Sequence, residues 1–416
     1  MSVLQTPVNP EEREVVRQAV HAFLTDLCCS FKTGINFYDS SLGTSGKNQN
    51  HILTGFLSSL QKASTDALSA DLVISVLRAC PDQLHHFLSS LAPTLNPRPS
   101  AAWVSSMDML IQIYEAQPTE LSFLSTKLPS AHLNLVAMSL VLVLPPDKVM
   151  STFTWGLKQS SQPVRHKILD FLKVALQRAL HILTNVRSLA DSSDPSLAQL
   201  GPRLKESLLK KLPDAATLLG CWTKMMAERT QPNKDVSKED IPSVASIQHI
   251  VRLQQVMCLY QELVPTMLSD SPHHVSSLLE GVRGVGEGDG GQDEDRMLPQ
   301  LYLLKLLAGT DARQLPWAKE NAARHSLMYL LLEMTTKVSA SRKLKEVTQH
   351  LVAELLQSTG LFQDQDQELA IWLRHLAVTM VPDVVDFTAR MMTMFVSNPY
   401  PYMDPSDGHR GGGRCR

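Results

Sequence analysis

Gly46 and Lys47 are the residues with the clearest chemical potential, and they stand in a short stretch that reads LGTSGKN at residues 42–48. A glycine–lysine pair in such a stretch can cradle phosphate groups while the lysine neutralises their charge. The phosphate-binding loop of nucleotide hydrolases also needs a glycine five positions before that pair and a hydroxyl residue directly after the lysine. Ser41 and Asn48 occupy those two positions here. The motif is incomplete, and we predict no nucleotide site.

Histidines and cysteines occur as adjacent pairs, at His85–His86, His273–His274 and Cys28–Cys29. Neighbouring residues of a helix point about 100° apart, so such a pair does not readily share one metal ion. No two of the six cysteines are separated by two residues, the spacing typical of metal and redox motifs. We therefore expect surface histidines and reduced, mostly buried thiols, with no catalytic residue, metal or cofactor.

Basic side chains are the main candidates for binding. Lys167, Lys173 and Arg178 lie on the polar side of a helical wheel, and Lys210 and Lys211 end a second basic cluster. Each could contact the phosphates of RNA. Each could equally be an ordinary solvated helix face, because 39 Lys and Arg nearly balance 41 Asp and Glu. We name these five residues as possible RNA or partner contacts.

Helices must position these residues, because apolar side chains recur along the chain at spacings of three and four. The chain of 416 residues is 44% apolar and only 6% aromatic, and it shows no alternating strand pattern. In the first helix, which Asn9 can cap, apolar residues form one stripe of the kind that usually faces a core: Val16, Val20, Phe23, Leu27 and Phe31. The sequence therefore predicts an all-α fold, an irregular α-solenoid of HEAT-like or armadillo-like helical pairs.

Changes in composition predict how the array is divided. We expect helical pairs over residues 1–281 and again over residues 297–397, where residues 365–396 are predicted as one long helix. An acidic, glycine-rich loop should separate the two parts at residues 282–296, and a disordered tail should follow at residues 398–416.

One long connection interrupts the helices at residues 31–50, and we call it the glycine-rich loop. A connection between packed helices needs only about 2–8 residues. This one contains two aromatic residues, Phe37 and Tyr38, which we expect to be buried. Its second half is rich in Ser and Thr. It is therefore predicted to hold a defined conformation.

The loop sequence GINFYDSSLGTSG, at residues 34–46, resembles a motif of the nucleolar pre-ribosomal-associated protein 1 family. Further blocks of that family follow in the same order and at similar spacing: ACPD at 79–82, SAAWVSSM at 100–107, IYEAQP at 113–118, TGLF at 359–362 and ELAIWLRHL at 368–376. None of these blocks is catalytic. They are typical of helix packing and of loop conformation.

The resemblance implies a non-enzymatic scaffold of the nucleolus that acts early in assembly of the large ribosomal subunit. It further implies a role in pre-rRNA folding and in processing of 5.8S and large-subunit rRNA. The implied partners are a DEAD-box RNA helicase, another large helical-repeat protein, and pre-rRNA contacted directly or indirectly, with no membrane. Members of the family are several times longer, so this chain is expected to be their N-terminal helical region. An unrelated armadillo-like adaptor, for transport or the cytoskeleton, is the alternative.

Overall fold

A computed structural model describes most of the chain. The described residues are 9–37, 39, 41–60, 63–119, 134–159, 161–190, 199–230, 244–268, 278, 294–310, 315, 317, 326–336, 342–358, 366–379 and 381–397. Within these ranges the regular secondary structure is helical, and they contain no β-strand. The predicted all-α class is confirmed. No helix in the same ranges is both long enough and apolar enough to cross a membrane.

Contacts divide the chain into two compact units, residues 1–221 and 222–416. The helices of the first unit are α1 (Pro10–Cys29), α2 (His51–Ser59), α3 (Ala67–Ala79), α4 (Leu84–Leu91), α5 (Ala101–Ala116), α6 (Leu135–Val141), α7 (Asp147–Gln159), α8 (Gln162–Ala190) and α9 (Leu200–Lys211). Helix α10 (Ala215–Thr230) contains the point of division. The helices of the second unit are α11 (Val244–Leu263), α12 (Glu294–Ala308), α13 (Leu327–Thr336), α14 (Arg342–Ser358), α15 (Asp366–Thr379) and α16 (Pro382–Ser397).

Side-chain caps explain where several helices begin. The Asn9 side chain accepts a hydrogen bond from the backbone N–H of Glu11 at 3.4 Å, so the predicted cap of α1 is confirmed. Ser100 accepts one from the backbone N–H of Trp103 at 3.3 Å, at the start of α5. Such bonds satisfy amide groups that have no partner within the helix.

The core of the first unit is organised around α8, which packs on α5, α7 and α9. Phe171 of α8 meets two aromatic rings edge-on, with ring centroids 5.6 Å from Tyr114 and 5.4 Å from Phe153. All three rings are buried. Aromatic pairs in this geometry add stability beyond the area that they bury.

In the second unit, α11 packs on α12, and buried glutamines join the two helices. The side-chain amides of Gln254 and Gln261 donate hydrogen bonds of 3.0 and 2.9 Å to the carbonyls of Pro299 and Leu306. Helix α13 packs against α14, α15 and α16.

Three details differ from the sequence predictions. The segment predicted as one helix over residues 365–396 is two helices, α15 and α16, because Pro382 cannot donate the hydrogen bond that would continue the first. Phe37 is 59% exposed although it was expected to be buried, and Tyr38 lies outside the described residues. Much of the apolar stripe of α1 faces solvent, because the helix turns a different side to α3.

The predicted acidic loop and tail fall mainly outside the described residues, at positions 282–293 and 398–416. Helix α12 begins at Glu294, inside the segment that was predicted as a loop.

Candidate partner-binding site

The glycine-rich loop is organised around the carboxylate of Asp39. This group accepts hydrogen bonds from the backbone N–H groups of Ser41 and Gly43, at 2.8 and 2.9 Å, and from the Ser41 hydroxyl at 2.7 Å. Leu42, Gly43 and Gly46 have φ angles of 49°, 77° and 74°, in the left-handed region. An aspartate that bonds to the amides after it stabilises such a turn. The turn therefore holds a defined backbone conformation.

A buried polar network joins this loop to the 3₁₀ turn Pro81–Gln83. The Asn50 amide donates to the Asp82 carboxylate at 3.0 Å and exchanges two hydrogen bonds with the backbone of Phe37, at 2.7 and 2.8 Å. Gln83 donates to the same carboxylate at 2.6 Å and accepts from the Thr54 hydroxyl at 2.6 Å. Two blocks that the sequence showed separately, in the loop and at residues 79–82, thus form one hydrogen-bonded unit.

Gly43 lies directly against this turn. A Cβ atom at position 43 would be 2.8 Å from the carbonyl oxygen of Asp82, closer than a real side chain comes to a backbone atom. The backbone angle and the close approach both require glycine at this position.

The cysteine thiols beside the loop have low reactivity. The Asn36 side chain donates to the Cys29 carbonyl at 3.0 Å. Burial raises the pKa of the Cys29 thiol to about 11, with the nearby Cys28 and Asp26 adding to the effect. Burial also raises the pKa of Cys80 to about 12. Because the thiolate is the reactive form, these protonated thiols are poor nucleophiles and poor metal ligands.

A cleft of about 290 Å³ lies between the turn at residues 42–44 and α4. Buried Leu42 and Val141 make part of its lining apolar, while His86 and Ser89 are exposed polar residues at the same cleft. A concave surface that combines apolar lining with a few polar groups is typical of binding sites. We take this cleft as the candidate partner-binding site.

His85 lines the cleft and holds α4 to the chain after α6. Its Nε2 atom lies 3.2 Å from the Leu144 carbonyl, so this nitrogen carries the proton and donates. Burial lowers the pKa of His85 below its usual 6.5. The hydrogen bond to Leu144 raises this pKa, but the effect of burial is larger. The positive charge of Lys211 also lowers it. The His85 ring is therefore neutral at neutral pH.

The predicted cations of α9 differ in accessibility. Lys211 forms an ion pair with Asp147 at the start of α7. Lys210 is 72% exposed and pairs with Glu206 at 2.7 Å within the same helix. The hydrogen bond from Lys210 lowers the pKa of Glu206. Exposed ion pairs contribute little free energy, so Lys210 can leave Glu206 and bind another anion.

The predicted cations of α8 are less available. Lys167 pairs with Asp108 at 2.6 Å and with Asp170 at 3.6 Å. Burial lowers its pKa, but the hydrogen bond and charge of Asp108 outweigh that effect and raise it. Lys173 is half-buried.

Arg178 was expected on a solvated face, and the structure corrects this. It is only 5% exposed, because α8 is covered on several sides. Its guanidinium donates hydrogen bonds of 2.9 to 3.0 Å to the carbonyls of Gln117, Pro118 and Leu142. Burial lowers its pKa to about 10, so it remains charged. Arg178 joins α8 to the ends of α5 and α6 and is not a surface contact.

Sequence reasoning did not find the cleft, because its lining comes from three separate stretches of chain. The one local signal was the glycine at position 43, which marks a special backbone conformation. Both histidines of the first pair were expected at the surface; His86 is exposed, but His85 is half-buried and bonds to the Leu144 carbonyl. In the described ranges, no three His, Cys, Asp or Glu side chains are placed to hold one metal ion. His273 and His274 lie outside those ranges.

Fold and site together define an all-α protein with a hydrogen-bonded loop and a cleft within its first unit. Residues 3–106, which include the loop and the Pro81–Gln83 turn, match the family model described as "Ribosome 60S biogenesis N-terminal". The chain is 33% identical over 437 residues to nucleolar pre-ribosomal-associated protein 1 of Homo sapiens, an alignment that covers 96% of this chain and 19% of the relative. The Mus musculus protein of the same name is also 33% identical, over 439 residues, with the same coverage.

The resemblance seen in the sequence blocks is confirmed: over 96% of its length the chain is similar to nucleolar pre-ribosomal-associated protein 1, and residues 3–106 match the family model. It spans about a fifth of the length of the curated relatives that it matches.

Proposed function

We propose that this chain is part of a non-catalytic scaffold for assembly of the large ribosomal subunit in the nucleolus. The observation that carries the proposal is the similarity over 96% of the chain to a nucleolar pre-ribosomal-associated protein. The family model matched by residues 3–106, whose description names 60S biogenesis, supports it independently.

The scaffold mechanism rests on helix packing. We infer that the helices stack in pairs as an irregular α-solenoid, which is supported by the contacts of α3 with both α1 and α5, and of α12 with both α11 and α14. Stacked pairs offer an extended surface on which many weak contacts add up to firm binding. We infer a structural role for the buried carboxylates Asp39 and Asp82, because they accept hydrogen bonds from the loop and from the turn at Pro81–Gln83.

The proposed partners are those of the pre-ribosomal particle: pre-rRNA, a DEAD-box RNA helicase and another large helical-repeat protein. Support of pre-rRNA folding and of 5.8S and large-subunit rRNA processing belongs to the same proposal. The cleft beside α4 is its protein-docking site, and Lys210 is its first candidate for a phosphate contact because it is the most exposed of the five predicted cations.

Affinity purification of the natural protein, with sequencing of the bound RNA, tests the scaffold role. We expect precursors of the large-subunit RNA to be enriched over precursors of the small-subunit RNA. The DEAD-box helicase should remain bound after ribonuclease treatment, since protein contacts hold a scaffold together. Equal recovery of both precursor classes contradicts the proposal.

Ultraviolet crosslinking to RNA tests the phosphate contact separately. Lys210→Glu should lower the crosslinking yield of the peptides around α9. Lys305→Glu is a matched control, because Lys305 is also exposed and also pairs with a glutamate, Glu262, at 3.8 Å. Equal loss in both variants would mean that Lys210 has no specific role.

A further inference from the structure

Helix α1 presents an apolar face to solvent. Val15, Val16, Val20 and Phe23 are 67%, 59%, 50% and 64% exposed, respectively. Val16, Val20 and Phe23 follow the spacing of four and three residues that aligns side chains on one side of a helix. Single exposed apolar residues are ordinary, but a contiguous group of large ones marks a contact surface. We call these four residues the α1 face.

The α1 face is separate from the side of α1 that packs on α3. Arg17 forms an ion pair with Asp66, and His21 lies 3.1 Å from Asp71, so these residues mark the packed side. At about 100° per residue, Arg17 is displaced by about 100° from Val16 around the helix. The α1 face is therefore open while the helix is anchored along another side.

The two sides of the α1 face carry opposite charges: exposed Arg13 lies beside Val16 on one side, and Arg17, which pairs with Asp66 and Glu14, lies beyond it. On the side away from Arg17 the face is bordered by carboxylates: Glu12 and Asp26 lie beside it, and Glu11 lies further round the helix. Glu11, Glu12 and Asp26 take no part in the ion pairs between described residues. The carboxylates attract lysine and arginine and repel phosphates, so RNA or an anionic lipid would be repelled along one side of the face.

We propose that the α1 face docks an amphipathic helix of another protein that carries Lys and Arg along one edge. The apolar stripe of that helix covers Val16, Val20 and Phe23, and its Lys or Arg side chains lie along Glu12 and Asp26. This is helix-against-helix recognition, in which apolar anchors supply affinity and bordering charges select the partner. An antiparallel two-fold pair with a second copy of this chain would bring acidic border against acidic border. The proposal goes beyond the scaffold role and does not depend on it.

Photo-crosslinking in cells of the source organism tests this proposal. A benzophenone amino acid replaces Phe23 in the natural protein, and the captured peptides are sequenced by mass spectrometry. The same amino acid at Trp155, an exposed aromatic residue of α7, is the control. We expect position 23 to capture peptides of another polypeptide that combine apolar residues at spacings of three and four with bordering Lys or Arg.

Charge reversal provides the second criterion. Glu12→Lys combined with Asp26→Lys should lower the yield at position 23 about tenfold or more, since two attractions become repulsions. Glu115→Lys combined with Asp383→Lys changes the net charge equally on other exposed sites and should leave the yield unchanged. Capture of RNA, of lipid, of a second copy or of a non-basic peptide overturns the proposal. So does a yield no higher than at position 155, or one that the Glu12 and Asp26 changes do not alter.

Discussion

Single side chains explain why the glycine-rich loop holds one conformation. Asp39 binds the amides of the turn, and Asn50 binds both the loop backbone and the Asp82 carboxylate. Gly43 completes the contact, since a side chain there would meet the Asp82 carbonyl. Buried polar groups that are satisfied in this way specify one arrangement, because breaking any bond leaves a partner without its hydrogen bond.

Two glycine substitutions should have opposite effects. Gly43→Ala places a Cβ at a positive φ and against a carbonyl, so we expect a loss of about 1–2 kcal/mol or more. Gly55→Ala adds a methyl group in open space within α2 and should stabilise the protein by about 0.5–1 kcal/mol. Thermal unfolding followed by circular dichroism measures both shifts. Equal shifts in the same direction would contradict this account of the loop.

Removal of the Asp82 carboxylate should loosen the loop. In Asp82→Ala the amides of Asn50 and Gln83 lose an acceptor, at a cost of about 1–3 kcal/mol. We expect amide hydrogen exchange in residues 41–50 to become about tenfold faster or more. Asp147→Ala, which removes an exposed ion pair with Lys211, is the control and should leave that exchange nearly unchanged.

His85 should make the first unit sensitive to acid. Burial lowers its pKa in the folded state, so below about pH 6.5 the unfolded state binds more protons and stability falls as the pH falls. His85→Gln cannot titrate and can still donate to the Leu144 carbonyl. The loss of thermal stability between about pH 7.5 and about pH 5 should therefore be larger in the natural protein than in the variant. An equal loss in both proteins would mean that His85 is not responsible.

Among the helices, α8 has the central structural role in the first unit. It contacts α5, α7 and α9, and Arg178 extends from it to three carbonyl groups at the ends of α5 and α6. Backbone carbonyls at helix ends need donors when they are buried. The guanidinium supplies three donors from one side chain, which explains why a charged residue is retained at a buried position.

Arg178→Met should destabilise the first unit by about 2 kcal/mol or more, because the carbonyls would lose their donors. Lys173→Met, on the same helix at a half-buried position, should change stability by less than about 0.5 kcal/mol. Chemical denaturation monitored by circular dichroism distinguishes the two variants. If Arg178→Met weakened RNA binding without loss of stability, the structural role assigned here would be wrong.

The sequence predicted the elements better than their contacts. A local signal located the start of α1, and the proline that divides α15 from α16 was visible although its effect was not predicted. A helical wheel placed Arg178 on a polar side, but it does not show how many neighbours surround a helix. The cleft depends on the bond between Asn50 and Asp82, which are 32 residues apart, and no local pattern encodes such a pairing.

At the scale of the whole molecule, the all-α structure contains a unit that coincides with the family resemblance. The blocks that resembled the family include the loop and the turn at Pro81–Gln83, and the structure shows that these two form a single packed unit. That unit holds a cleft and lies within the residues that match the family model. A surface fixed by hydrogen bonds in this way is suited to binding partners, because little order has to be created when they bind.

A chain that is part of a scaffold for large-subunit assembly, as we propose, should be needed for that subunit to accumulate. The most direct measurement is the ratio of large to small ribosomal subunits on a sucrose gradient after the natural protein is depleted, with the RNA of each fraction sequenced. We expect the amount of large subunits to fall relative to that of small ones and the precursors of large-subunit RNA to change in abundance. The intact gene should restore both. An unchanged ratio with normal precursors would contradict the proposal.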